Sequence, residues 1–215
     1  SFHPFIKPFE RLQKTILDFK KRPADLFNKY QEQDQLSEVR TTLLQNISRI
    51  EILFGLLGIF MEKNIDAAIF QYQMLLKPYH LDTGDWAKVA DTAKLIIQSG
   101  KEAIRILIPL LQFHDTKNQF VKQMFNYLYE CERRINDLES VFSKMDANKQ
   151  VLWLFKSTEG NITLKSAPYS VAESIENYLF ADKKSIILTS ATLRTEKSFA
   201  FMREQLSLGE NFEEL

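Results

Sequence analysis

The chain has 215 residues, 45% apolar and 26% charged, an ordinary balance for a globular protein with room for one or two cores. Its 28 Lys and Arg equal its 28 Asp and Glu, so net charge points to no polyanionic partner and any such surface has to be local. The lone cysteine, Cys131, excludes an internal disulfide and any four-cysteine zinc or iron–sulfur site within the chain, and fits a reducing, cytoplasmic compartment.

The opening, SFHPFIKPFE, has no apolar core preceded by positive charge and does not read as a signal peptide. It lacks an initiator methionine and begins inside an apolar stretch, which predicts a segment of a longer protein. Pro4 and Pro8 predict an irregular start. A helix follows over residues 9–21, with Leu12, Ile16 and Phe19 on one face. Pro23 suits the first turn of a short helix ending at Tyr30. Lys20, Lys21 and Arg22 are the candidate DNA contact, although the helix dipole alone favours cations at that end.

Leu36, Val39, Leu43, Ile47, Ile50, Phe54, Leu57 and Met61 recur every three or four positions and predict one long amphipathic helix. Its most apolar window, residues 52–61, lies between Glu51 and Glu62 and is far shorter than the roughly 20 residues of a bilayer span, so no membrane partner is expected. Asn64 predicts the cap of a shorter helix carrying Ile65, Ala68, Ile69, Tyr72 and Leu76. KPYHLDTGD reads as a loop. Asp82 or Asp85 then caps a helix through Val89, Ala93, Ile96 and Ile97, with a kink or break expected at Gly100 and Pro109. Val121, Met124, Leu128, Cys131, Ile135, Leu138, Phe142 and Met145 alternate by three and four without a miss, predicting a helix over residues 118–145 that packs against another. Cys131 falls on that seam and reads as an inert core thiol.

The character changes at about residue 148. QVLWLFKS, TEG and NITLKSAP read as a hairpin, and Ser170 as the cap of a short helix over residues 171–180. Ile186-Ile187-Leu188, apolar without alternation, reads as a strand buried on both faces. It ends in Thr189, Ser190, Ala191 and Thr192, where an α/β sheet would place a ligand or a plain turn. A last helix is expected from Ser198, with Phe199, Met202 and Leu206 on one side. The three histidines, His3, His80 and His114, are isolated and predict no metal site. No glycine-rich phosphate loop and no Gly-x-Ser-x-Gly elbow is present.

The stretch from VLWLFKSTEGNITLKSAPYS through KKSIILTSATLRTEKSFAFMREQLSLG resembles part of the DinG/XPD-type helicases of superfamily 2. In that family a strand ending in Thr-Ser-Ala-Thr-Leu is motif III, which closes the first RecA-like motor domain. A largely helical arch is inserted before it. The resemblance implies a mainly α chain: an arch-like bundle of long helices over residues 1–147, a small α/β piece of the first motor domain over 148–197, and the start of the second over 198–215. It implies that Thr189, Ser190, Ala191, Thr192 and Leu193 couple ATP hydrolysis to movement along single-stranded DNA. ATP and magnesium would be bound by the full-length protein, by parts outside this chain. Whether that protein holds an iron–sulfur cluster or an exonuclease domain is left open. A helical interaction module without motor activity is the alternative.

Overall fold

A computed structural model describes residues 3–20, 30–64, 73–112, 114, 118–143, 150–189, 198–206 and 208. The described elements are α1 (His3–Lys20), α2 (Tyr30–Asn64), β1 (Gln73–Leu76), α3 (Pro78–Leu81), α4 (Gly84–Gln112), α5 (Gln119–Ser143), β2 (Gln150–Lys156), β3 (Ile162–Pro168), α6 (Ala172–Ile175) and α7 (Ala200–Gln205). They fall into two compact units: residues 1–147 with 152–166, and residues 148–151 with 167–215. Helix α5 ends at Ser143 and β2 begins at Gln150, and packing carries most of the hairpin with the helices.

The first unit is a four-helix bundle. Helix α1 packs on α2 and α5, and α4 packs on the same two. Neighbours run antiparallel. Asn46 meets Ser99 and Lys63 meets Asp85, so numbering rises along α2 as it falls along α4. Arg11 lies over Tyr127, while Pro4 and Phe5 lie near Leu138 and Phe142, which sets α1 against α5 in the same way. Each helix buries one stripe, so the four stripes share one core.

In α2 the buried stripe is Leu36, Val39, Leu43, Asn46, Ile50, Leu53, Leu57 and Phe60, a strict three–four alternation. Ile47 and Phe54, expected on that stripe, are only partly buried. Their places are taken by Leu53 and by a fully buried asparagine. Asn46 is held across the seam: Ser99 Oγ donates to its Oδ1 at 2.7 Å, and Arg49 Nη1 donates at 3.2 Å. The Asn46 oxygen, bonded from one place on the facing helix, sets the register of α2 on α4, while its buried Nδ2 finds no acceptor among the described residues. By length and composition α2 also meets the requirement for a membrane span; in this bundle its stripe packs on protein.

Several local expectations are corrected. Helix α1 begins at His3, before both prolines. Pro4 stands in the first turn, where an N–H has no helical partner, and Pro8 removes only the bond to Pro4, so neither proline breaks the helix. Helix α4 is continuous through Gly100 and Pro109. Pro109 lies within one turn of the helix end, and Leu107, Leu110 and Leu111 around it are anchored in the core. The α4 cap is neither Asp82 nor Asp85 but Thr83, whose Oγ1 accepts from Trp86 N at 3.2 Å. Asp85 instead binds Lys63 at 2.7 Å and Lys88 at 3.1 Å. The loop before α4 contains the short helix α3.

Residues 73–76 form strand β1, not the end of a helix capped by Asn64. Asn64 is the last residue of α2, and residues 65–72 of that expected helix lie outside the described residues. In β1, Met74 and Leu76 face inward, antiparallel opposite Leu154 and Leu152 of β2. Burial thus alternates with period two, which a helix cannot supply. The sheet order is β1-β2-β3. The expected hairpin is present, turning at Gly160, whose φ of 82° suits glycine alone without strain.

Helix α5 carries the expected seam: Val121, Met124, Leu128, Cys131, Ile135 and Leu138 are buried, with Phe142 partly so. Its start is capped by Asn118, whose Oδ1 accepts from Phe120 N at 2.9 Å. Burial pushes the Cys131 thiol well above its ordinary range, with Glu130 adding to the effect. A thiol held neutral is neither nucleophile nor metal ligand.

Helices α4 and α5 come close together at Gly100. A methyl group there would run into the Cδ1 of Ile135, itself 1% exposed. We expect Gly100→Ala to lower stability by about 1–3 kcal/mol, the usual cost of overpacking, despite the better helix propensity of alanine. The urea midpoint should fall at unchanged slope, and adding Ile135→Val, which removes the clashing methyl, should recover part of the loss. A stabilised Gly100→Ala protein would show that α5 can move away freely.

The second unit has described residues in β2's first positions, at 167–189, 198–206 and 208. Ser170 Oγ accepts from Ala172 N at 3.2 Å, as expected of a cap. Helix α6 is only four residues and continues as one π-helical turn, Glu176–Phe180. Ser198 Oγ accepts from Ala200 N at 3.0 Å and starts α7. The chain is therefore mainly helical with a small antiparallel sheet, as the sequence pattern requires.

Candidate functional site

The expected strand at residues 185–188 is not formed: residues 185–189 are irregular. Ile186 is 42% and Ile187 88% exposed. A strand exists only through its ladder, and no partner strand lies along these residues among those described. Thr189 is exposed at the end of this run, while Ser190, Ala191, Thr192 and Leu193 lie outside the described residues. The same unit exposes Tyr169, Val171, Tyr178, Leu179 and Phe201. Exposed large apolar side chains are thus frequent among the described residues of this unit.

The cation triplet is described only at its first member: Lys20 ends α1, and Lys21 and Arg22 lie outside the described residues. Structure adds three cations that sequence reasoning passed over. Lys7, Arg11 and Lys14 are exposed on α1 at intervals of four and three, which places them along one side of the helix. The Arg11 guanidinium sits 5.7 Å from the centre of the Tyr127 ring. Several cations on the other elements are paired: Lys63 and Lys88 bind Asp85, Lys101 binds Glu139, Arg105 binds Glu102, and Lys156 binds Glu62. Among the described residues Lys7, Arg11 and Lys14 have no such ion pair. The four–three spacing was the available signal, masked by Glu10 and Asp18 in the same run.

The remaining chemistry-bearing groups are structural. His80 is buried, and its Nδ1 accepts from Lys77 N at 3.0 Å. Burial, helped by the Lys77 charge, holds its pKa below the usual histidine range, against a hydrogen bond to the Leu75 backbone. His114 is shifted the same way by burial, opposed by the charge of Glu32. His3 is exposed on α1. Among the described residues no group of three or more His, Cys, Asp or Glu could hold a metal ion. A groove of about 330 Å³ between α2 and the hairpin contains Glu51, Glu62 and Lys156. Lys156 holds the Glu62 carboxyl below its ordinary range, so that pair is a salt bridge without an acid–base partner.

No family model matches the chain, and no solved structure matches it. Over 77 residues, 36% of this chain, it is 35% identical to the 3'-5' exonuclease DinG of Bacillus subtilis (strain 168). Those residues span 7% of that protein's length. The chain is thus similar to a DinG protein over about a third of its own length.

Proposed function

We propose that this chain is part of a DinG-type, ATP-dependent DNA helicase acting in the cytoplasm. The helical bundle guides single-stranded DNA, and Thr189 to Leu193 couple ATP hydrolysis to translocation. The observation that carries the reading is the 35% identity over 77 residues to a protein named DinG. The Thr-Ser-Ala-Thr-Leu run and the exposed apolar unit around it support the reading, since a motor-domain edge needs neighbours to cover it. Lys7, Arg11 and Lys14 along one side of α1 offer phosphate contacts, and the Lys20-Lys21-Arg22 triplet follows them in the sequence. The partner by this reading is DNA, bound weakly through phosphate contacts that loosen as salt rises.

ATP and magnesium belong to the full-length protein. The residues here do not fit either: the sequence has no phosphate loop, and no acidic cluster stands among the described residues. A second reading, a DinG-like exonuclease, is favoured by the name of the relative. One experiment separates them. The longer protein containing this chain is assayed for ATP turnover with and without single-stranded DNA, and for shortening of an end-labelled strand with and without ATP. DNA-stimulated turnover is expected in the longer protein, and none in the 215-residue chain. Strand shortening with no ATP turnover would leave the helicase reading without support. Clear turnover by the short chain would misplace the nucleotide site.

A further inference from the structure

The outer side of the α2–α4 seam carries apolar side chains that the bundle does not cover. Ile52 and Ile59 of α2 and Leu95 of α4 are each about half exposed, with the partly buried Leu56 between the two isoleucines. Arg49 Nη1 donates to Ser99 Oγ at 3.1 Å across the seam. Ile52 lies one turn beyond Arg49 and Leu95 one turn before Ser99, so the antiparallel order sets Ile52 and Leu95 side by side. One turn further along α4, past Leu95, stands the exposed Asp91. Arg49 and Asp91 therefore flank the apolar pair, one turn to either side. Both lack a counter-ion. The Arg49 guanidinium is held by neutral acceptors, Ser99 Oγ and, at 3.2 Å, Asn46 Oδ1, and no carboxylate pairs with it among the described residues. Asp91 pairs with no cation among them, since Lys88, one turn away, is bound to Asp85, as is Lys63. The two charges left over at this part of the seam are of opposite sign.

We infer that this face is where two copies of the chain associate, α2 and α4 of one lying antiparallel on α2 and α4 of the other about a two-fold axis at Ile52 and Leu95. Such an axis turns the face end for end. Each Arg49 then meets the Asp91 of the other copy, and Ile52 and Leu95 meet their own counterparts. Charge complementarity selects this occupant: the face carries its own complement, at equal spacing on the two sides of an apolar centre, as an isologous contact requires. The Arg49 side chain already leans across the seam to Ser99 of α4, the helix that carries Asp91. Held there, it gives up little side-chain freedom when it takes the carboxylate. From Gln45 to Lys63 the face is about 27 Å long and about 20 Å wide, or on the order of 500 Å² per copy. A pair of such faces stands at the low end for a specific interface, so the dimer is weak and depends on concentration. The inference does not rest on the helicase reading, because every residue in it belongs to α2 or α4.

Sedimentation velocity on the full 215-residue chain, over a concentration series reaching millimolar, tests this. A monomer–dimer equilibrium is expected. Asp91→Arg, a change at an exposed position, sets a second cation against each Arg49 and should weaken association by at least about tenfold, whereas Asp91→Glu should keep it. Arg49→Glu should weaken it likewise, by setting carboxylate against carboxylate. The Asp91→Arg and Arg49→Glu chains, each monomeric alone, should associate when mixed, because every contact between them then joins opposite charges. Melting curves check the fold of each variant, since Arg49 also bonds across the seam. Should Arg49→Glu melt early, Leu95→Lys, at a half-exposed position in the centre of the face, serves as the second disrupting variant. A chain that stays monomeric at every concentration overturns the proposal, whatever other partner the face then has. So does an association that Asp91→Arg leaves unchanged, as one made through the exposed side chains of the second unit would be, and so does a mixture of the two folded variants that remains monomeric.

Discussion

Leu128→Asp is expected to unfold the bundle or to leave it only marginally stable. Leu128 is 1% exposed at the middle of α5, in a cluster with Phe9 and Leu12 of α1 and Leu107 of α4. Removing the leucine side chain alone costs about 2–5 kcal/mol, as Leu128→Ala should show. Aspartate adds a carboxylate to a site where no cation stands among the lining residues. It must either stay charged without a partner or take up a proton, and each route adds several kcal/mol. The sum approaches the total stability of an ordinary domain, about 5–15 kcal/mol. Urea unfolding followed by helical circular dichroism measures both variants. Since the carboxylate can be neutralised, the aspartate variant should regain stability as pH falls toward 4, while the alanine variant should not. Equal urea midpoints for the two would mean that water reaches the seam, contrary to its burial.

The bundle was legible for a physical reason that the small strand does not share. In α5 six seam residues repeat the helical period, and only one arrangement buries them all. In α2 the same period was read with Ile47 and Phe54 in place of Asn46 and Leu53. Apolar residues lie on both sides of the true stripe, and which side is buried depends on neighbours. Asn46 could not be found by hydropathy at all, since its burial makes sense only with Ser99 across the seam. Strand β1 has four residues, too few to show period two, and its ladder partner lies 82 positions away from Gln73 to Phe155. Pro109 reads as a break in any sequence, yet the packing of Leu107, Leu110 and Leu111 outweighs one lost hydrogen bond. The line of Lys7, Arg11 and Lys14, by contrast, was open to a count of helical spacing.

The other large effect is expected at the hydroxyl run, in the longer protein that contains this chain. Ser190→Ala combined with Thr192→Ala removes two hydroxyls and leaves Ile186, Ile187 and Leu188 untouched. By the helicase reading these hydroxyls link nucleotide hydrolysis to the position of the second motor domain, and the phosphate ligands lie elsewhere. Folding should therefore survive, and nucleotide affinity should change little, because each replacement keeps a small side chain. Strand unwinding should fall by about tenfold or more relative to ATP turnover, corresponding to at least about 1.4 kcal/mol of lost coupling. Turnover itself should keep most of its DNA stimulation. The measurement is a paired one: unwinding of a tailed duplex and ATP hydrolysis, in the same buffer, with the same protein preparation. A proportional fall of both rates would place the hydroxyls in the chemistry rather than in the coupling. If neither rate changes, Thr189 to Thr192 only end the run, as Ser and Thr often do at a turn. Val replacing Thr192 supplies the final control, since it keeps the branched shape and loses only the hydroxyl; it should reproduce the defect if hydrogen bonding is the cause and spare it if shape is.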